Sequence, residues 1–255
     1  TLVCAISGKN TAAYGDVNCI NLGLPQLYYC GSTVAHCDCV RMARTYIGSE
    51  AFEDGFESGS FSAWTGTSVS SGETATITSA RRYHGTYSAR FASNGGGGSE
   101  YACCCKTIAS LSELHVRGYF YVSQSGIVEN DDRFYFIVFR AGSSNVAYVG
   151  WRKICGVVKW RLTIRYGTSC VTVYSVTSPS LNRWYCVELH WKKDASSGLG
   201  ELWVDGTLVC AISGKNTAAY GDVNQIRFGQ CESYNCGPTT VYCDNCVISK
   251  TNIGR

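Results

Sequence analysis

Carboxylate and histidine side chains are the groups that general acid–base catalysis uses most often, and they are the first candidates for chemistry in this sequence. Enzymes that cleave glycosidic bonds hold two carboxylates across one cleft, and the acidic run at residues 129–133 has neither strand character nor a matching regular spacing. This run indicates a polar turn. His190 lies in a strand-like segment near Tyr185, but alternation along a strand puts the two on opposite faces. The other histidines are isolated in the sequence. We therefore predict no catalytic residues and a protein that is not an enzyme.

A possible binding group is formed by Tyr148, Trp151 and Arg152, which lie close together after a Gly/Ser turn. An aromatic ring with an apolar face beside a guanidinium group suits stacking on a sugar, so these residues are candidate glycan ligands. The alternative is packing in the core or at its rim, because a protein of this size keeps most large aromatic residues inside.

The elements that would position these residues are β-strands. Residues 157–166 alternate between apolar and polar side chains, which predicts a half-buried strand with one face in water. Residues 134–139 are apolar throughout and indicate a strand covered on both sides, and residues 184–191 alternate again. Asp205-Gly206 joins two further strands as a tight hairpin, since both central positions of such a turn need positive φ. The pattern predicts an all-β, two-sheet antiparallel sandwich.

Composition excludes several classes of protein. The formal net charge is +3 and basic residues are not clustered, so we expect no nucleic-acid partner. No apolar run reaches the length of a membrane span. Sixteen cysteines favour an extracellular protein with several disulfides. The sequence has no Asn-x-Ser/Thr sequon, whereas the Ser/Thr-rich residues 65–79 could carry O-linked glycans.

Two segments carry a family likeness. Residues 52–64, FEDGFESGSFSAW, and residues 242–249, YCDNCVIS, resemble the opening and closing strands of concanavalin A-like and laminin G-like jelly rolls and of related carbohydrate-binding modules. The resemblance implies a jelly-roll sandwich whose first and last strands are neighbours. It also implies a structural calcium ion held by Asp54, Glu57 and Asp244, and no other cofactor. The alternative is that these carboxylates belong to a solvated turn and a strand end.

The chain also contains an internal duplication. Residues 1–18 are identical to residues 207–224, and the weaker likeness continues to residue 48. We therefore predict two parts: residues 1–48, a partial copy of the C-terminal strands, and residues 49–255, the complete jelly roll. Because the copied sheet position is already filled, the apolar side chains of the copy need another surface. These side chains, the predicted subunit interface, are Leu2, Val3, Ile6, Val17 and Ile20.

Three arrangements of this extra segment remain open. The chain could be a piece of a longer tandem array, the segment could fold back on its own domain, or it could add to the sheet of a neighbouring copy. We favour the third, because an element of one copy that docks on a different face of the next repeats into rings or filaments. The sequence thus predicts an extracellular structural protein that assembles head to tail. The alternative is a secreted glycan-binding module or a fragment of a tandem-repeat adhesin.

Overall fold

The computed structural model describes residues 52–96 and 98–253, within a unit that spans Ile47–Arg255. The predicted segment 1–48, with its interface residues Leu2, Val3, Ile6, Val17 and Ile20, lies outside the described residues. The described part consists of strands and one turn of 3-10 helix at Ala218–Tyr220. No helix in that part is long and apolar enough to cross a membrane.

The strands, in chain order, are β1 (Phe52–Asp54), β2 (Gly66–Val69), β3 (Thr74–Thr78), β4 (Ser88–Ser93), β5 (Ser99–Leu111), β6 (Glu113–Gly126), β7 (Arg133–Ala141), β8 (Ser144–Ile154), β9 (Val157–Tyr166), β10 (Ser169–Tyr174), β11 (Trp184–Lys192), β12 (Gly198–Val204), β13 (Thr207–Lys215), β14 (Val223–Tyr234) and β15 (Gly237–Ser249).

These strands form two antiparallel sheets. The eight-stranded sheet has the order β13-β12-β11-β6-β15-β4-β3, with β1 paired to β15, and the seven-stranded sheet has the order β10-β9-β8-β7-β14-β5-β2. The all-β, two-sheet antiparallel fold class is confirmed. Since β1 pairs with β15, the first and last described strands are neighbours, as the jelly-roll resemblance implies.

The core lies between the sheets and follows the predicted alternation on β11. Tyr185, Val187, Leu189 and Trp191 are buried, and His190 takes the opposite face. β7 is buried on both faces along most of its length, as predicted for residues 134–139. The predicted hairpin is also present: β12 and β13 are joined by Asp205-Gly206, with φ of 50° and 76°.

The middle of one expected wet face is buried. On β9, Arg161 and Thr163 lie on the polar side of the strand and are buried, whereas Lys159 and Arg165 on the same side are partly exposed. The cause is a layer of side chains from neighbouring strands: Arg161 donates to the Tyr135 hydroxyl at 2.5 Å and lies against the Tyr148 ring, and Thr163 bonds Thr172. Side chains of neighbouring strands therefore cover these polar residues. The alternation within β9 alone does not show this.

The cysteines of the described residues are all free thiols. Cys104 faces the main core, whereas Cys103 and Cys105 face the other side of β5, as alternation requires. A bulge at Asn245, with φ of 46°, turns Cys243 and Cys246 to the same side, where their Sγ atoms lie 3.3 Å apart. The structure shows none of the disulfides expected from the sequence among the described residues, and a disulfide that involves residues 1–48 stays a prediction.

Candidate functional site

The outward face of β6 carries a row of polar and aromatic side chains. Leu114, Val116 and Phe120 point into the core, so the residues between them face away from it. The outward residues are Glu113, His115, Arg117, Tyr119 and Tyr121. This row lies near the middle of the eight-stranded sheet, with β11 on one side and β15 on the other.

The neighbouring strand β11 places a matching row beside it. The antiparallel register sets Trp184 opposite Tyr121, Cys186 opposite Tyr119, Glu188 opposite Arg117 and His190 opposite His115. Side chains directly opposite each other on one face are close enough to interact. The two strands thus form a continuous surface with aromatic residues at one end and histidines at the other. The ends are about 13 Å apart, from the rise of four residues between His115 and Tyr119.

A loop covers the aromatic end of this surface. The 79–87 loop connects β3 to β4, and its Tyr83 ring stacks on Tyr119 with centroids 3.8 Å apart and planes 16° apart. Trp184 meets Tyr83 edge to face at 5.9 Å, and the Arg81 guanidinium lies 4.6 Å above the Tyr121 ring. Burial and the neighbouring Cys186 and Tyr83 raise the pKa of Tyr119 above the ordinary tyrosine value.

Beside these rings runs an open groove of about 520 Å³, which we call the loop groove. Its lining is formed by Ala80, Arg81, Arg82, Tyr83, His84, Gly85 and Trp184. Tyr83 is about half exposed, so one face of its ring is covered by Tyr119 and the rest is open to a ligand. The lining combines an accessible aromatic ring with cationic side chains.

Two carboxylates fix the 79–87 loop in place. Asp244, fully buried on β15, accepts the backbone N–H groups of Tyr83 and His84 at 2.8 and 3.0 Å. Burial raises the pKa of the Asp244 carboxyl, while its backbone donors act in the opposite direction. Glu57 accepts the N–H groups of Thr86 and Tyr87 at 2.9–3.0 Å.

These anchors are two of the three predicted calcium ligands. The third, Asp54, accepts the Phe56 N–H at 3.0 Å and the Trp64 indole N–H at 2.6 Å. Glu57 and Asp244 both lie near Gly55, where a β-carbon would lie 3.9 Å from Glu57 Cγ and 3.8 Å from Asp244 Oδ1, but the structure does not bring ligand atoms of Asp54, Glu57 and Asp244 within 4.8 Å of one another. Carboxylate and amide oxygens fit calcium, although the carboxylates also serve here as acceptors for N–H groups. The ion itself stays a prediction.

The histidine end of the surface contains four residues that the sequence left apart. His190 Nε2 lies 2.9 Å from Glu113 Oε1, and His190 Nδ1 lies 3.1 Å from Glu201 Oε2 of β12. The His115 ring stacks on His190 with centroids 3.9 Å apart. The expectation that His115 is isolated is therefore wrong, because strand pairing brings it directly opposite His190.

The predicted glycan ligands Tyr148, Trp151 and Arg152 do not form one site. Trp151 is only 2% exposed and packs between the sheets, so its ring is not available to a sugar. Tyr148 lies on the outer face of the seven-stranded sheet against Tyr135, and burial raises its pKa to about 12. Arg152 pairs with Asp131 at 2.5 Å and donates to the Tyr174 hydroxyl at 2.8 Å. The alternative of core and rim packing describes these residues better.

Neither a protein-family model nor a curated protein matches the sequence. Solved structures do resemble the fold. The cellulose-induced protein Cip1 matches with a TM-score of 0.61 and 18% identity, over 80% of this chain and 99% of that chain. An endo-β-1,4-glucuronan lyase from the fungus Trichoderma reesei matches with a TM-score of 0.61 and 16% identity, over 78% of this chain and 95% of that chain.

A sialidase matches with a TM-score of 0.53 and 16% identity, over 79% of this chain and 18% of that chain. This fold therefore recurs there as a small part of a longer protein. At these identities the likeness concerns the fold alone. It confirms the concanavalin A-like jelly roll that residues 52–64 and 242–249 indicate.

Proposed function

We propose that this protein binds an acidic polysaccharide along the outward face of the eight-stranded sheet, with the loop groove as the main contact. The observation on which the proposal depends is the Tyr83 ring, held by stacking on Tyr119 and open on its other side. Ligand sites combine apolar or aromatic surface with a few placed polar groups, and this groove has both.

The aromatic part suits a sugar ring. A pyranose has an apolar face of C–H groups, and a fixed aromatic ring can cover that face without losing rotamer entropy on binding. Tyr83 is fixed by Tyr119 beneath it, by Trp184 at its edge and by the Asp244 carboxylate at its backbone. The binding surface is thus largely formed before the ligand arrives.

The charges favour an acidic ligand. Among the described residues that line the loop groove there are two arginines, Arg81 and Arg82, and no carboxylate. Arg117 lies farther along the same face on β6 but directly opposite Glu188, so the unbalanced positive charge is at the loop groove. Guanidinium groups bind carboxylates in a bidentate manner, so uronic acids suit this lining better than neutral sugars do. The similar folds of a glucuronan lyase and a sialidase support a carbohydrate ligand in general terms.

The experiment measures binding to immobilised neutral and acidic polysaccharides, followed by titration with oligosaccharides of the retained class. Tyr83→Ala should lower the affinity about tenfold, since one aromatic contact contributes about 1–1.5 kcal/mol. Tyr234→Ala is the matched control, because Tyr234 is a similarly exposed tyrosine on the other sheet. Equal losses in both variants, or no retained polysaccharide at all, would contradict the proposal.

The expectation that the protein is not an enzyme remains a prediction. A lyase has a similar fold, and the His115–His190 pair lies on the same face as the loop groove. The test is to incubate the protein with the retained polysaccharide and to measure whether new chain ends appear, which would show cleavage. We expect none above the background of a heat-denatured sample.

Assembly of copies is a second candidate function, and one observation favours it. Residues 1–9 are identical to β13, which is the last strand on one side of the eight-stranded sheet in the described part of the chain. Exposed sheet edges accept added strands. If residues 1–48 dock on a neighbour, the full chain should sediment as large particles and the chain lacking them should not. Identical sedimentation of both would rule out this role.

A further inference from the structure

We propose that Glu113, His115 and His190 form a binding site for a divalent transition metal of the zinc class. Each residue offers one ligand atom, and these atoms all lie within 4.8 Å of one another. Two come from β6 and one from β11, so the set is held by neighbouring strands near the middle of a sheet. A site on paired strands is more rigid than one built on loops.

The donor types select the metal. Two imidazole nitrogens and one carboxylate oxygen suit zinc and its neighbours in the first transition row, whereas calcium and magnesium prefer oxygen ligands alone. Three protein ligands leave one position of a tetrahedral zinc ion for water or for a ligand oxygen. Glu113 is more than two-fifths exposed, so that position would be open to solvent on the ligand-binding face.

A fourth residue, Glu201, supports the site by contacting the His190 nitrogen that faces away from Glu113. His190 faces Glu113 with Nε2, at 2.9 Å, and faces Glu201 with Nδ1, at 3.1 Å. Histidines that bind a metal through one nitrogen usually donate the other N–H to a carboxylate, which fixes the ring and its tautomer. Glu201 is in the position for that second role, and the register of β12 with β11 places it directly opposite His190.

The simplest alternative is a hydrogen-bonded bridge, in which His190 joins two carboxylates and no metal binds. That arrangement joins Glu113, His190 and Glu201. The His115 ring lies parallel to the His190 ring, with centroids 3.9 Å apart and planes 9° apart, and it offers a ligand atom within 4.8 Å of those of His190 and Glu113. The lone pairs of imidazole lie in the ring plane, so the two stacked rings would turn toward a shared ion on binding. The two explanations differ in whether His115 matters for metal binding.

The nearby cysteine does not compete well for the metal. Cys186 lies on the same strand as His190, and burial raises its pKa to about 11. Burial likewise raises the pKa of Cys243 and Cys246 in the core. A cysteine binds metals as the thiolate, so these raised pKa values weaken metal binding by these residues at neutral pH. The inference does not rest on polysaccharide binding, since it concerns the other end of the sheet face.

The test titrates the full chain, first stripped of metal with a chelator, with Zn²⁺ in a calorimeter and with Co²⁺ in an absorption spectrometer. We expect His115→Gln and His190→Gln each to remove one equivalent of bound metal relative to the unmodified protein. Glu201→Gln should keep that equivalent and weaken it about 10- to 100-fold. His84→Ala, which changes an exposed histidine outside the cluster, is the matched control and should bind as the unmodified protein does.

The inference is overturned if His115→Gln binds as much metal as the unmodified protein, because the bridge alone would then explain the cluster. It is equally overturned if the Co²⁺ complex of the unmodified protein shows sulfur-to-metal charge transfer without the bands of a nitrogen and oxygen site. The spectrum is measured on the unmodified chain, so it decides the question even if a histidine variant does not fold.

Discussion

The Asp244 carboxylate holds the backbone N–H of Tyr83 at 2.8 Å, across 161 positions of sequence. One residue belongs to the closing strand β15 and the other to the loop that forms the groove. A buried acidic residue of β15 therefore sets the position of the aromatic ring on which the proposed ligand would stack. The fold and the candidate site are connected through this contact.

Replacing this anchor should loosen the 79–87 loop. Asp244→Ala removes the acceptor for Tyr83, His84 and Asn245 N–H groups, and we expect a loss of about 2–4 kcal/mol in the free energy of unfolding. Polysaccharide affinity should fall as well, because Tyr83 loses its fixed position. Urea unfolding measures the first effect and calorimetric titration the second.

Asp131→Ala is the control for this substitution. Asp131 pairs with Arg152 through a side chain that is 67% exposed, and exposed ion pairs contribute about 0–1 kcal/mol. If Asp244→Ala were no more destabilising than Asp131→Ala, the anchoring role would be refuted.

Calcium should stabilise the protein if the predicted ligands bind it. Addition of Ca²⁺ to protein treated with chelator should raise Tm, and Glu57→Gln should abolish most of the shift because it removes one charged ligand. Differential scanning calorimetry with and without Ca²⁺ measures this. A Tm that does not respond to Ca²⁺ or to chelator leaves Asp54, Glu57 and Asp244 with the purely structural role of accepting N–H groups.

Trp151 and Tyr148 should respond to substitution in different ways. Trp151→Ala creates a cavity between the sheets and should cost about 3–5 kcal/mol of stability. Tyr148→Ala should leave polysaccharide affinity unchanged, since Tyr148 lies on the seven-stranded sheet, away from the loop groove. Thermal unfolding and titration of the two variants check both statements, and a loss of affinity in Tyr148→Ala would move the binding face to the other sheet.

The thiols should differ in their rate of alkylation. Burial raises the pKa of Cys104, Cys243 and Cys246, so at a given pH these residues hold less thiolate and also exclude the reagent. Cys155 and Cys170 are exposed and should be labelled first in the native protein. Peptide mapping by mass spectrometry identifies the labelled positions. Thiols that stay unlabelled after unfolding, until a reductant is added, would instead indicate the disulfides expected from the sequence.

Much of the fold could be predicted because the strands of the core have clear local sequence patterns. The alternation in residues 184–191 and the Asp205-Gly206 turn depend only on neighbouring residues, and both are found as predicted. Residues 113–121 also alternate clearly between apolar and polar or aromatic side chains. That signal could have identified the outward row on β6 from the sequence alone.

The candidate site itself depends on contacts between distant segments. His115 meets His190 only because β6 pairs with β11 in one register, and Tyr83 meets Tyr119 only because Asp244 holds the loop above the sheet. Local pattern contains no information about either. The predicted grouping of Trp151 with Tyr148 and Arg152 is wrong, because residues that are close in sequence along a strand do not all lie on the same face.

The binding face can be tested most directly by hydroxyl-radical footprinting of the protein with and without its retained polysaccharide. Tyr83 and Tyr234 are comparable reporters, because they are 48% and 39% exposed and belong to opposite sheets. We expect the ligand to protect Tyr83 and Trp184 and to leave the oxidation of Tyr234 and Tyr148 unchanged. Protection of Tyr148 or Tyr234, with Tyr83 still oxidised at its original rate, would contradict it.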